Sequence, residues 1–415
     1  MKTNPTTTFS TNHKTNFIKL FFGLLMIILI INPVNLNGQD KNWFEIYGFA
    51  MTDIGYNFNQ IDPAWFDVVR PTKLPTMENQ FGTDGNAYFS ARQTRFGVKS
   101  GTQTALGELF TQFEFEMFGV GVDAGQTTIR LRHAYGELGQ FGVGQYWSPF
   151  MDIDVFPNSV EYWGPNGMAF FRNVQFRYMP MKGDSRLTIA LERPGASADA
   201  GMYAGRVELS GVVPRFPVPD LSAEYRSAHG WGYVELAGIV RYMKWEDLVE
   251  DQIDFNGDAI GWGLNLSSNI KIGQDNLVRV SVLYGAGVQN YMNDAPVDVA
   301  IDTAEQNGVA IPLLGAVLFL EHNWSEKFAT AIGYSMLDID NTNGQSYDAF
   351  SMGSYALGNI IYYPVNNVMM VCEVQWGNRE NLGEPVPAVE GYMNTADILK
   401  IQFSFKYNFS HKVNF

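Results

Sequence analysis

The sequence predicts an all-β protein: a transmembrane antiparallel β-barrel of sixteen strands with a long inward-folded third loop. Three observations carry this. First, residues 401–415 alternate throughout. The odd positions Ile401, Phe403, Phe405, Tyr407, Phe409, Val413 and Phe415 are apolar or aromatic, interrupted only by His411, and the even positions from Lys400 are polar. Side chains alternate across a strand, and a soluble strand usually runs about 5–6 residues. A longer strand with one apolar and one polar face separates two solvents, lipid outside and a watery lumen inside. Second, Lys14 and Lys19 precede an apolar run at residues 21–31, and residues 1–38 hold no acid. This is the layout of a secretory signal. The competing reading, a membrane anchor, needs ~20 apolar residues, about twice what is present. The mature chain then begins at Gln39 or Asp40, and the barrel domain occupies 39–415. Third, no later segment is apolar for twenty residues, while the composition is 14% aromatic with 41 glycines, as aromatic girdles and tight turns require.

The strands follow in order. The first is expected at 43–58, then a long gap, then 87–99, 107–118, 127–137 and 141–147. After an aromatic loop come 170–179 and 186–193, then 221–228 and 231–243, joined by His229-Gly230. The rest are 259–270, 277–285, 313–322, 327–337, 350–361, 367–376 and 396–415. Even-to-odd connections are mostly short and odd-to-even ones mostly longer, the pattern of periplasmic turns and outer loops, and an even number closes a bacterial barrel with both ends in the periplasm. The uncertainty of strand boundaries leaves fourteen and eighteen open. A soluble sandwich is the alternative. The repeated apolar phases (Leu109, Phe113, Phe115, Met117; Val278, Val280, Val282, Tyr284; Phe328, Ile332, Tyr334, Met336) disfavour it.

Charge and cysteine usage exclude several classes. The net charge is −15, and −18 once the signal is removed with Lys2, Lys14 and Lys19. That balance speaks against nucleic acid. The excess acid is expected in outer loops such as 246–258, where divalent cations could bridge it. Asp254, Asn256 and Asp258 start an EF-hand spacing, but Ala259 replaces the required Gly and Asn265 the required Glu. The single Cys372 precludes an intramolecular disulfide. It shares an apolar phase with Val368, Met370 and Val374, and reads as a small lipid-facing hydrophobe.

If the apolar phase meets lipid, the opposite phase lines the pore, because a charge on the lipid face near the midplane costs roughly 2–4 kcal/mol. Strand two then turns Arg95 and Lys99 inward. Strand three contributes Gln112, Glu114 and Glu116. Strand four contributes Thr128, Arg130 and Arg132, with Ile129, Leu131 and Tyr135 outward. Strand six contributes Asn173, Gln175 and Arg177, and later strands Glu235, Arg241, Arg279, Glu373, Lys400 and Lys406. These charges either pair across neighbouring strands and solvate the wall, or form a cationic strip. Arginine rings select anions, and the guanidinium fork suits planar carboxylates. The segment 148–169, SPFMDIDVFPNSVEYWGPNGMA, is too long for a hairpin and too aromatic for a solvated loop. Folding into the lumen buries Phe150, Phe156, Tyr162 and Trp163 and sets Asp152, Asp154 and Glu161 against the arginine wall. Packing on top of the barrel or at a subunit contact is the alternative.

At these residues the chain resembles the DcaP-like family of trimeric outer-membrane porins. The resemblance rests on VVRPTKLP (68–75), ARQTRFGVKS (91–100), the stretch 111–167 from TQFEFEMFGV to SVEYWGPNG, and FFRNVQFRYMP (170–180). It is close over 44–195 and mostly one of layout beyond. It implies a sixteen-stranded barrel in the outer membrane of a Gram-negative bacterium, a homotrimer, and passive diffusion of small anionic solutes such as dicarboxylates. Its pore-lining positions would be Arg95, Arg130, Arg132 and Arg177, with Asp152, Asp154 and Glu161 in the loop motif. The chain departs from members with a helical periplasmic extension, since its first strand starts within a few residues of the cleavage point. Expected partners are the solutes, outer-membrane lipid and lipopolysaccharide, and the barrel-assembly machinery, for which Phe415 resembles the recognition signal.

Two other functions compete. A structural or adhesive barrel with a closed lumen differs only in whether it conducts. A barrel hydrolase needs Ser and His in triad geometry. His229 lies in a turn, His133 and His411 sit on apolar phases where a girdle role suffices, and no histidine pair has metal-ligand spacing. No catalytic residue, metal or cofactor is expected.

Overall fold

The computed structural model describes residues 42–249, 254–305 and 307–415. The predicted export signal at 1–38 lies outside the described residues. The described chain closes into a barrel of sixteen antiparallel strands. These are β1 (Trp43–Asn57), β2 (Asn86–Ser90 and Arg95–Thr104), β3 (Gly107–Phe118), β4 (Thr127–Leu138), β5 (Phe141–Trp147), β6 (Arg172–Met181), β7 (Arg186–Glu192) and β8 (Val212–Arg215 and Asp220–His229). They continue with β9 (Gly232–Asp247), β10 (Gly257–Ile272), β11 (Asn276–Ala286), β12 (Pro312–Asn323), β13 (Phe328–Ile339), β14 (Phe350–Tyr362), β15 (Val368–Asn381) and β16 (Thr395–Asn414). Every strand expected from the sequence is present, with ends shifted by a few residues.

Two strands are broken for visible reasons. The pieces of β2 both pair with β1, with Ser90 opposite Asp53 and Arg95 opposite Phe49. Four β2 residues therefore span the interval that three cover on β1. This is a bulge, which bends a strand and re-aims side chains; here it buries Arg92 and Gln93. In β8 both pieces pair with β9, and the gap between them holds Pro217 and Pro219, which cannot donate to a ladder.

A third irregularity corrects an expectation. On β3 the partner of Glu114 is His133, but the partner of Phe115 is Leu131, so Arg132 is an extra residue. The bulge reverses the phase beyond it. Ile129 and Leu131 face out, whereas His133 and Tyr135 are buried inside. The Tyr135 ring stacks on Tyr146 at 4.4 Å, and its hydroxyl donates to Glu137 at 3.0 Å. The outward assignment of Tyr135 and the girdle role of His133 therefore fail.

The wall closes between first and last strands. β1 pairs with β16 from Trp43–Asn414 to Asn57–Lys400, and Phe415 N donates to the Asn42 carbonyl at 2.8 Å. The short connections lie at the end holding the termini. The other end carries the long loops L1 (58–85), L3 (148–171), L4 (193–211) and L6 (287–311). Ala198–Asp199 of L4 joins Val299–Asp302 and Asn307–Ala310 of L6 in a small three-stranded sheet that the sequence did not announce.

L1, L3 and L6 enter the barrel, so the lumen has its own apolar core in the loop-bearing half. Phe150 of L3 packs with Leu283, Leu313 and Leu337 of the wall. Val155 of L3 and Val69 of L1 pack with Phe319, Leu357 and Ile398. Where these strands face the loops both of their faces are apolar, which explains why their alternation is less clean than that of residues 401–415.

Candidate functional site

The site is built on β2, β3 and β4, whose inward residues meet in register. Arg95 stands opposite Glu116 across β2–β3, and Glu116 opposite Arg130 across β3–β4. Arg130 Nε donates to Glu116 Oε1 at 2.8 Å. Arg132 Nε donates to Glu114 Oε1 at 2.6 Å, and its Nη1 lies 2.5 Å from Glu116 Oε2. Arg95 is looser, 3.4 Å from Glu116 and 3.7 Å from Glu114. A fourth guanidinium joins from β6: Arg172 Nη2 is 3.8 Å from Glu116. Its position at the start of β6, out of phase with Asn173 and Gln175, is why sequence reasoning missed it. Four arginines thus share two carboxylates, and buried charges of this kind stay put only when paired and hydrogen-bonded.

L3 completes the cluster. Tyr162 bonds through its hydroxyl to Glu116 and receives Arg132 Nη1 at 3.2 Å. Its ring lies on Phe118 at 4.0 Å and 8°. Behind Phe118, Arg92 sits over the ring at 3.8 Å and pairs with Asp67 of L1 at 3.1 Å. The remaining cavity of about 340 Å³ is lined by Phe49, Met51, Arg95, Arg132, Trp147 and Lys406, among others.

L3 itself is held by carboxylates of the far wall. Glu373 on β15 accepts from Ser159 Oγ at 3.0 Å and from the backbone of Val160 and Glu161 at 3.2 and 3.1 Å. Glu321 on β12 accepts from Asn158 N at 2.7 Å. Glu161 is spent on loop backbone: it accepts from Val69 N of L1 and Trp163 N of its own loop, each at 2.8 Å, and from Gly164 N. Burial pushes its carboxyl up to about 7, further than Lys400 and the Gly164 and Val69 N–H groups hold it down.

The sequence-predicted residues therefore separate into groups. Arg95, Arg130, Arg132, Glu114 and Glu116 come together. Arg177 stands apart, its Nε on Gln175 Oε1 at 3.1 Å and its guanidinium over Tyr146 at 4.9 Å. Asp152 and Asp154 enter the lumen with L3 but meet Arg226 of β8, at 2.6 and 2.5 Å, instead of the arginines of β2 and β4. Asp152 also accepts from Tyr233 and Ser267. Arg226 was legible, since it shares the inward phase of Asp220, Ser222 and Glu224. Lys400 points inward but is capped by L1, its Nζ donating to the Asp67 carbonyl at 2.6 Å. L1 was read only as a gap. Its Arg70 lies between the Trp65 and Trp163 rings at 4.1 and 4.2 Å and binds Asp294 of L6 at 2.8 Å.

The comparisons with known proteins fit this geometry. The family described as DcaP outer membrane protein matches residues 33–408. No curated protein matches the chain. Among solved structures, the outer membrane channel DcaP of Acinetobacter baumannii is similar with a TM-score of 0.74 at 18% identity, covering 91% of this chain and 100% of that one. The anion-selective porin of Comamonas acidovorans gives 0.57 at 9% identity over 89% and 100%. The trimer form of OmpT from Vibrio cholerae gives 0.55 at 13% over 89% and 100%. At these identities the structural likeness is one of fold.

Proposed function

The chain belongs to the DcaP outer membrane protein family, and from that premise we propose that its channel passes small hydrophilic solutes by passive diffusion with a preference for anionic organic acids such as dicarboxylates. It is an outer-membrane channel protein and not an enzyme. The observation that carries the proposed preference is the imbalance in one cluster of the lumen wall: Arg95, Arg130, Arg132 and Arg172 share two carboxylates, Glu114 and Glu116. A fixed excess of positive charge in a narrow, partly desolvated passage replaces part of an anion's hydration. The seating of L3 on Glu373 and Glu321 supports the same reading, because a filter must hold its shape to discriminate.

A homotrimer is also proposed. β5 and β7 have seven residues each, fewer than the ~9–11 that span a bilayer. A wall this low is better covered by neighbouring subunits than by lipid. Export through the signal at 1–38 completes the picture.

The test is conductance in a planar bilayer. In a salt gradient the reversal potential should report anion preference, and Arg130→Ala with Arg132→Ala should abolish it. Cation preference in the wild type would sink the anionic reading, and electrical silence would favour the closed-lumen structural barrel.

A further inference from the structure

The outward face of the barrel is apolar along its middle and charged at its outer rim, and that charge is uneven. At the long-loop ends of β13, β15 and β16 the outward positions include the exposed acids Asp338, Glu380 and Asp397. Basic side chains on the outward phase lie elsewhere. Among the described strand residues they are Arg215 of β8 and Lys244 of β9, 47% and 37% exposed, and Arg172, which shares the phase but turns into the lumen cluster. Arg215 and Lys244 stand directly opposite each other in register, so their side chains leave the same patch of wall.

The strand sets their height. Lys244 follows Leu236, Val240 and Tyr242 on the outward phase, and β10 lays Ile260, Trp262 and Leu264 beside them. Lys244 is ten residues on from Val234, at the foot of this apolar band. That is ~33 Å along the strand and, at a tilt of about 40°, about 25 Å across the membrane, the height of the lipid-facing band. The two cations thus meet the outer leaflet where acyl chains give way to head groups. Their platform is firm. Trp245, next to Lys244 on the inward phase, packs on Gly257 and on Gly308 of the small L4–L6 sheet, where an added Cβ would stand 2.6 and 2.9 Å from the ring. Glu246 accepts from Arg215 Nε at 2.7 Å and from Lys244 Nζ at 2.8 Å. Asp258 faces Lys244 in register on β10 but forms no ion pair with it among the described residues.

We propose that Arg215 and Lys244 form a lipid site on the outer wall and clasp a phosphate of the lipid A head group of lipopolysaccharide, whose acyl chains lie along Tyr242, Ile260 and Trp262 below. The guanidinium fork takes the phosphate bidentately and the ammonium adds a point charge. Ion pairs as exposed as those to Glu246 are worth little, so a dianionic phosphate displaces its carboxylate. Without lipid, Glu246 keeps the two side chains together. The acids at β13, β15 and β16 repel the same head group, which confines the site to this side of the barrel.

Titration of the folded protein in detergent with bisphosphorylated lipid A, read by native mass spectrometry, tests it. Arg215→Gln and Lys244→Gln should each raise the half-saturating concentration roughly fivefold, and the two together roughly thirtyfold, the worth of one and two basic residues at an anionic lipid surface. Glu246→Gln should lower it. Heat-modifiable gel migration confirms that each variant is folded. Equal affinity of the wild type for dephosphorylated lipid A, or unchanged affinity in the folded double variant, overturns the site. Displacement by inorganic phosphate at the concentration of the lipid overturns the lipid assignment. Binding that vanishes in EDTA and returns with magnesium overturns the direct contact in favour of a cation bridged through Glu246 and Asp258. A double variant that loses its oligomer but keeps its lipid A affinity makes the pair a subunit contact instead.

Discussion

At the scale of single residues, Glu116 is the hinge of the charge arrangement. It is fully buried and touches Arg95, Arg130, Arg132, Arg172 and the Tyr162 hydroxyl. Removing one partner of a buried ion pair costs about 3–5 kcal/mol, so Glu116→Gln should lower the urea midpoint of the refolded barrel while moving the reversal potential further toward the anion value. An unchanged midpoint would mean that the four guanidiniums find other partners. Glu161 gives a pH dependence. Its carboxyl is raised from 4.5 to about 7, so between those values the folded loop holds a proton that the unfolded chain has released. Its contribution to stability is complete below 4.5 and lost as pH rises through 7. Backbone amides of 148–171 should then exchange faster at pH 8 than at pH 5 after correction for intrinsic rates, and Glu161→Gln should flatten the difference. The inward phase made Arg95, Glu114 and Glu116 readable in the sequence. Arg172 was not, because its side chain reaches the cluster from the loop end of β6 and period-two alternation carries no information about reach.

At the scale of elements, L3 depends on the wall more than on itself. Glu373→Ala would strip Ser159, Val160 and Glu161 of their shared acceptor. The expected result is higher open-channel noise and a larger single-channel conductance; quiet, wild-type-sized openings would show that Glu321 and Gln402, whose Nε2 donates to the Val160 carbonyl at 3.2 Å, suffice. The aromatic content of 148–169 announced that L3 is buried in the lumen. Its docking partners were another matter: nothing local in the chain says that Asp152 finds Arg226, since that contact is decided by where the loop crosses. Bulges were equally silent. The alternation of β4 runs cleanly through Arg130 and Arg132, and only the partner strand reveals that Arg132 is the surplus residue that turns His133 and Tyr135 inward.

At the scale of the whole molecule, strand number and order were readable because each strand solves the same problem, lipid on one side and polar groups on the other. The inward path of L1 and the small sheet linking L4 and L6 were not, because they answer to a lumen that exists only once the wall has closed. Phe415 belongs to this scale. Its side chain is exposed and its backbone ties to Asn42, so it contributes little to the finished wall. Deleting it should reduce the amount of heat-modifiable barrel recovered from outer membranes several-fold while leaving the conductance of each assembled channel unchanged. Normal recovery would remove the assembly role.

The β1–β16 pairing also sets an order in time. β1 and β16 stand at opposite ends of the described sequence, so the hydrogen-bonding row of β1 facing β16 stays unsatisfied until the final strand docks. An open sheet of fifteen strands carries two bare edges, the form most prone to pair with a stranger, and contacts between chain ends are the slowest to form. The hazard of this fold therefore lies in the interval before closure, and a chain stalled just short of residue 395 would be a more dangerous species than one that never began to fold.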